Sequence, residues 1–521
     1  MNRKQKIIVS TTGIFLVLLI LVGLTYAYFL TRINGNKNDK SISVSTANLE
    51  LKYDDIEQVL ISEENVEPGK TWTKKFSATN TGSKKVESYG VALENVINTL
   101  KRTEDLVYTL NCTSSLGTNC NKVEDEQEFP TMGKILVTNS IESKEVQSYE
   151  LIITYKEQNV DQSVDMNKQF SAKVNIVNPS TFNPYVGSML NSVIIGSAKN
   201  ASEESDATRT TLGSEVTEFT SISGENERVL NNAPDDYGTS YYYRGNVLDN
   251  YVSFADKTWR IVRINGDGSV RLVLDDVVSN SGIQFNNKCY DNACIGYMYG
   301  TVGSTTYDAT HENINDSTIK IAVDKWYEDN IKTNYANYLQ DTLFCNDKTL
   351  ASNGIGEIET QLGYGENKTY YSSAERLQYS TGTTSITTSK PTFKCAENAK
   401  DTYSRFTVNE TTLLNGNKTN GDLTYPIGLL TADEVAYAGA YKSEQLNQYY
   451  YLSLSPRANW WLMTPKEYNV ESFQWYVYAF AIRDTMVSDF SGFRPSINLK
   501  INILVSEGTG TKENPYTLKL S

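Results

Sequence analysis

The chain has 521 residues, 39% of them hydrophobic, with 16 Phe, 35 Tyr and six Trp, which is enough apolar material for two or three folded cores and excludes disorder throughout. Its formal charge of −14 excludes a nucleic acid as the natural partner, because phosphate binding needs a basic face. A single histidine among 62 acidic residues makes a Ser-His-Asp or Cys-His catalyst, or a zinc site, hard to assemble.

Behind a basic tail, residues 1–6, runs an uncharged apolar stretch from Ile7 to Leu30. At about 1.5 Å rise per residue it can cross a hydrocarbon core of about 30 Å. Arg3, Lys4 and Lys6 precede it, so the positive-inside rule predicts a single-pass transmembrane helix with the bulk of the chain extracellular. The small residues Thr25 and Ala27 leave a second fate open, a signal segment cleaved near Ala27 and a secreted product.

Residues 41–177 alternate like an all-β sandwich, with SISVSTANLELKYDD, TWTKKFSATN, KILVTNS, SYELIITYKE and FSAKVNIV as the clearest strands. Residues 178–236, rich in Ser, Thr, Asn and acids, read for the most part as a polar connector too poor in large apolar groups to offset its ordering entropy, with NPYVGSMLNSVIIG able to add a short helix or strand. Residues 237–521 read as a mixed α+β domain.

Inside that domain RINGDGSV, Arg263 to Val270, poses a choice between a calcium loop and a turn. With Gly268 as the sixth residue of an EF-hand loop, Arg263 and Leu274 fall where carboxylates are required, so a hairpin turn is the better reading. Val262 and Ile264 are expected to share a face with Val270, Leu272 and Leu274. Asp275, Asp276 and Asp489 remain candidates for calcium, and no other cofactor is expected. A helix is predicted over NDSTIKIAVDKWYEDNI, capped by Asp316 or Ser317, with Ile319, Val323, Trp326 and Tyr327 on one face. Thr431 and Glu434 have the spacing of a capping box at the start of a second helix.

Six cysteines form an even set, and their spacing predicts disulfides Cys112 with Cys120, Cys289 with Cys294 and Cys345 with Cys395, as in an oxidising exterior. His311 sits in a polar loop and is expected to be solvated. No paired carboxylates stand out, so no enzyme activity is expected, with a carboxylate-dependent extracellular hydrolase as one alternative. The aromatic surplus offers a binding face instead: Tyr241, Tyr242, Tyr243, Tyr449, Tyr450, Trp475 and Tyr476 are the candidate ligand-binding residues. Alternation in SFQWYVYAF sends about half of its rings inward whatever the register.

Two resemblances accompany these readings. The leader ending LTYAYF, the following ISVSTANLEL and the NTG turn resemble secreted sandwich proteins of the TasA and camelysin type, which implies an extracellular Gram-positive setting and brings no catalytic residue. SGFRPSINL, Ser491 to Leu499, with Trp460 and Trp461, resembles the C-type-lectin-like fold of formylglycine-generating enzymes and retroelement variable proteins. WRIVRI, LTADE and GFRPSINL in this order are also similar to surface proteins of gut Firmicutes. The resemblances imply a membrane-anchored surface protein whose distal domain binds a protein or glycan, or else a matrix component that assembles through its sandwich.

Overall fold

The computed structural model describes residues 31–34, 51–55, 68–166, 168–215, 224, 226–287, 289–351, 362–377, 391–396, 402–440, 448–453 and 459–520. The chain divides into two compact units, Met1–Ser192 and Val193–Ser521. The expected membrane segment, residues 7–30, lies outside the described residues. Among those described, no helix is long and apolar enough to cross a membrane.

The first unit is a sandwich of two sheets. In the five-stranded sheet Leu51–Asp55, Thr71–Asn80, Val146–Tyr155, Leu106–Ser114 and Val123–Glu128 are neighbours in that order, all antiparallel. The four-stranded sheet runs Thr31–Asn34, Phe170–Val177, Val86–Asn98, Lys134–Ile141, parallel only at its first pair. Strict alternation along Val146–Tyr155 turns Gln147, Tyr149, Leu151, Ile153 and Tyr155 inward. Rings from the two sheets meet there, Trp72 packing edge-on against Phe170 at 5.2 Å, and within the five-stranded sheet Phe76 stacks on its cross-strand neighbour Tyr149 at 5.1 Å. Each such buried side chain contributes roughly 1.5–3 kcal/mol. The hydroxyls that alternation carries into this core are paired, Tyr89 with Tyr149 at 2.5 Å, and Asn139 Nδ2 donates to the Tyr149 hydroxyl at 2.8 Å.

The second unit holds a ten-stranded and a six-stranded sheet. The hairpin expected at RINGDGSV is present, Lys257–Ile264 against Val270–Leu274, with Gly268 at a φ of 87° where a left-handed residue is needed. One detail of its expected face is corrected. A bulge at Val262 shifts the register, so Leu272 lies opposite Ile261 and Leu274 opposite Trp259. The same register sets Arg263 directly across from Arg271.

The expected polar connector is also corrected. Residues 178–236 contribute a helix, Leu190–Glu203, and two strands, Thr211–Glu215 and Arg228–Asp235. Arg228–Asp235 pairs along its whole length with Gly238–Gly245. Backbone pairing, rather than an apolar face, orders this strand, and Pro234 stands past the pairs made on its other side, where its missing N–H costs nothing.

The helix Thr318–Asn330 starts where Ser317 Oγ accepts from the Lys320 amide, and Ile319, Val323, Trp326 and Tyr327 are all buried. The helix Ala432–Ala438 opens on a complete capping box of Thr431 and Glu434 and stops at Gly439, whose φ is 118°. All three disulfides join the expected partners. The stretch GFRPSINL links the two sheets of this unit, because Phe490–Phe493 belongs to the six-stranded sheet while Ser496–Leu499 pairs with Val270–Val273 in the other. Between them Arg494, fully buried over the Trp460 ring at 5.0 Å, donates to the carbonyls of Leu274 and Leu452. Burial lowers its guanidinium to about 10.

Candidate functional site

Two charged regions of the second unit compete for a functional role. In the first, Arg263 and Arg271 face each other across the hairpin, an arrangement that is repulsive unless an anion separates them. Glu434 supplies it: its Oε1 accepts from Arg271 Nη1 at 2.7 Å and from Arg263 Nε at 3.0 Å. Burial alone would raise the Glu434 carboxyl, but Arg271 and Arg263 outweigh it and hold it below its ordinary value. Asp235 accepts from Arg263 Nη1 at 2.8 Å. Nearby, Arg376 grips Asp433 through two bonds of 3.0 Å and Asp347 through one of 2.8 Å.

One carboxyl of the region is differently placed. Asp236 Oδ2 accepts from the Cys395 amide at 2.8 Å, while its buried Oδ1 has no hydrogen-bond partner among the described residues. Burial raises this carboxyl to about 6. The cavity that these groups line has a volume of about 20 Å³, room for a single water. No organic ligand fits, and we read the network as the device that seats the hairpin on the capped helix.

The second region is an open groove of about 330 Å³. Its walls come from the loop after the short helix Tyr307–His311, from the turn Thr402–Ser404, and from the loop that follows. That loop is held from below by Asp341, which accepts from the amides of Val408 and Asn409 at 2.8 and 2.9 Å. Thr407 bonds Thr419 at 2.7 Å across it. Glu312, Glu410, Asp422 and Lys418 bring charge, Asn313 and Asn420 bring amides, and the half-buried Tyr403 brings a ring. Asn313 Nδ2 donates to Asp422 at 2.9 Å, and Lys418 pairs with Glu410 at 2.6 Å. Such a wall can hydrogen-bond a polar ligand from several sides.

None of the seven aromatic residues expected to bind ligand lines the groove. Tyr242, Tyr243, Tyr450 and Trp475 are corrected to core positions, exposed by 3% or less. Tyr242 packs against Phe393 and Tyr437, Tyr243 against Tyr451, and Trp475 Nε1 donates to Ser373 at 2.9 Å. Adjacent Tyr242 and Tyr243 are both buried because their end of the strand is covered on both faces, Trp475 takes an inward position of its strand, and Tyr450 lies outside the strands. Tyr241, Tyr449 and Tyr476 are half-buried. The groove residues escaped sequence reading because their signal is only a run of Asn, Thr and Gly from 402 to 422.

His311 is corrected too. It is 1% exposed, its Nε2 lies 2.8 Å from the Gly363 carbonyl, and burial and then the Lys348 charge push it down to about 3. Two of the calcium candidates are engaged by other side chains: Asp275 lies 4.0 Å from Arg260 and 3.9 Å from Arg494, and Asp489 accepts from Thr485, while the exposed Asp276 accepts from the Val277 amide at 2.8 Å. Fixed guanidinium groups beside Asp275 already supply the positive charge that a cation would bring.

The family model of camelysin metallo-endopeptidase matches residues 2–204, less than half of the chain. No curated protein matches. The described residues of the matched stretch do not fit the metal that the family's description implies. It has no histidine, its two cysteines are joined to each other, and no group of three or more His, Cys, Asp or Glu suited to a metal occurs among the described residues. The N-terminal sandwich is thus similar to camelysin, and among its described residues no donor set for the chemistry in that family's name occurs.

Proposed function

We propose that this chain is a cell-surface protein, anchored through residues 7–30 or released by cleavage near Ala27, whose larger unit has a C-type-lectin-like fold and binds a glycan. The groove around Tyr403 is the observation that carries this reading. Amides, carboxylates and hydroxyls surrounding one ring suit a polyhydroxylated ligand better than an apolar peptide, and the volume lies at the small end of the usual range for ligand sites. Binding is favoured over hydrolysis because Glu410 is paired with Lys418. Tyr241, Tyr449 and Tyr476 remain candidates for a wider contact surface.

The test is a glycan array probed with the purified full chain in mild detergent, with calcium and again with chelator. Saturable binding to one glycan class is expected in both conditions. No binding by the disulfide-intact protein overturns the reading. The camelysin similarity favours a second role, matrix assembly through the sandwich. One edge opposes it: Val123–Glu128 carries Glu124, Asp125, Glu126 and Glu128, charges that discourage strand addition. An apparent mass by light scattering that rises with concentration would support assembly.

A further inference from the structure

We infer that Lys348 and Asn313 form an intramolecular isopeptide bond, a covalent cross-link between the segment after the strand Phe344–Cys345 and the wall of the groove. Lys348 is fully buried, and its Nζ lies 2.8 Å from Asn313 Oδ1, with the carbonyls of Met298 and His311 at 2.8 and 3.0 Å. A carbonyl bond is about 1.23 Å long, so the amine stands within about 4 Å of the Asn313 carboxamide carbon, close to the range from which attack proceeds.

The carboxamide is held from its other end as well. Asn313 Nδ2 donates to Asp422 at 2.9 Å and to the Tyr403 carbonyl at 3.1 Å, which fixes its carbonyl toward the amine. The lysine is equally constrained. Its amide donates to Ser404 Oγ at 2.8 Å, and a Cβ at Gly296 would come within 2.9 Å of Lys348 Cε, so glycine there keeps the side chain's path open. Attack requires that Nζ first give up one of the protons it donates to these carbonyls, which frees its lone pair.

The step balances without an oxidant. Nζ bonds to the carboxamide carbon, the bond from that carbon to Nδ2 breaks, and Nδ2 leaves as ammonia carrying protons released by Nζ. Asp422, already on Nδ2, can steady the leaving nitrogen, and the proton that Nζ gives up passes to it through solvent in the open groove. An ammonium and a primary amide become a secondary amide and an ammonium ion.

Mass spectrometry of the unlabelled full chain tests this directly. The intact mass is expected to fall short of the disulfide-bonded sequence by one ammonia, and digestion to yield one branched peptide joining Lys348 to Asn313. Lys348→Arg is expected to restore the full mass. A full-mass wild-type protein with three intact disulfides, giving Lys348 and Asn313 in separate peptides, overturns the proposal and leaves Lys348 as an ammonium held by three carbonyls.

Discussion

The buried arginine network and the open groove belong to the same unit and are both dense in charge, yet they differ in volume by more than tenfold, about 20 against about 330 Å³. In the network each arginine is answered by a fixed carboxylate, so its charge is spent on the fold. In the groove the charged groups stand at the surface, where pairs contribute little to stability and can exchange one partner for another. Charge density alone therefore does not mark a binding site. The accessible space around the charges decides.

The largest effect that would sharpen this comparison is expected at Glu434. Replacing it with alanine leaves Arg263 and Arg271 facing each other in the core without their shared anion. Breaking a buried pair in this way costs about 3–5 kcal/mol. Urea unfolding of Glu434→Ala should show that loss, and a loss below about 1 kcal/mol would break the claim that the network holds the hairpin to the helix.

Asp236 should give a smaller effect with a pH signature. Its carboxyl is raised to about 6 in the folded protein against about 3.9 unfolded, so the folded state holds the proton more tightly. The stability this confers is fully present below about pH 3.9 and is lost as pH rises through 6. Asp236→Asn keeps an acceptor for the Cys395 amide and removes the charge. It should be more stable than the wild type at pH 7, by on the order of 2 kcal/mol, and indistinguishable near pH 4. Equal stability at both values would show that Asp236 is solvated and its cavity larger than described.

How legible this was in the sequence depended on the range of the interactions. Caps, the hairpin and the disulfide pairs are set by residues close together or by simple counting, and Ser317, Gly268 and the six cysteines stand as expected. Alternation gave the sandwich its inward rings. It failed at Tyr242 and Tyr243, because whether a strand's second face is covered depends on segments far away, such as Phe393 and Tyr451. Thr431 and Glu434 were legible as a cap, but the second task of Glu434 was hidden, since its arginines lie 163 and 171 residues away. The groove was hidden for the same reason: Asn313 meets Asp422 across 109 residues.

The smallest effect on stability is expected in the groove, where the comparison is most exposed to failure. Tyr403 is half-buried, and the contact it gives the site through its backbone carbonyl, the bond from Asn313, does not depend on the ring. Tyr403→Phe should therefore unfold within about 0.5 kcal/mol of the wild type, as surface changes do. Tyr403→Ala removes the ring on which a sugar face would rest, and should lower affinity for the glycan class found on the array about tenfold, corresponding to about 1.4 kcal/mol. Glu434→Ala should show the opposite pattern at a temperature where it stays folded, with stability reduced and affinity kept, because Glu434 lines the water-sized cavity and not the groove. If affinity instead followed Glu434 and ignored Tyr403, the assignment of the two regions would have to be exchanged, with the buried network opening to admit ligand and the groove left as surface relief.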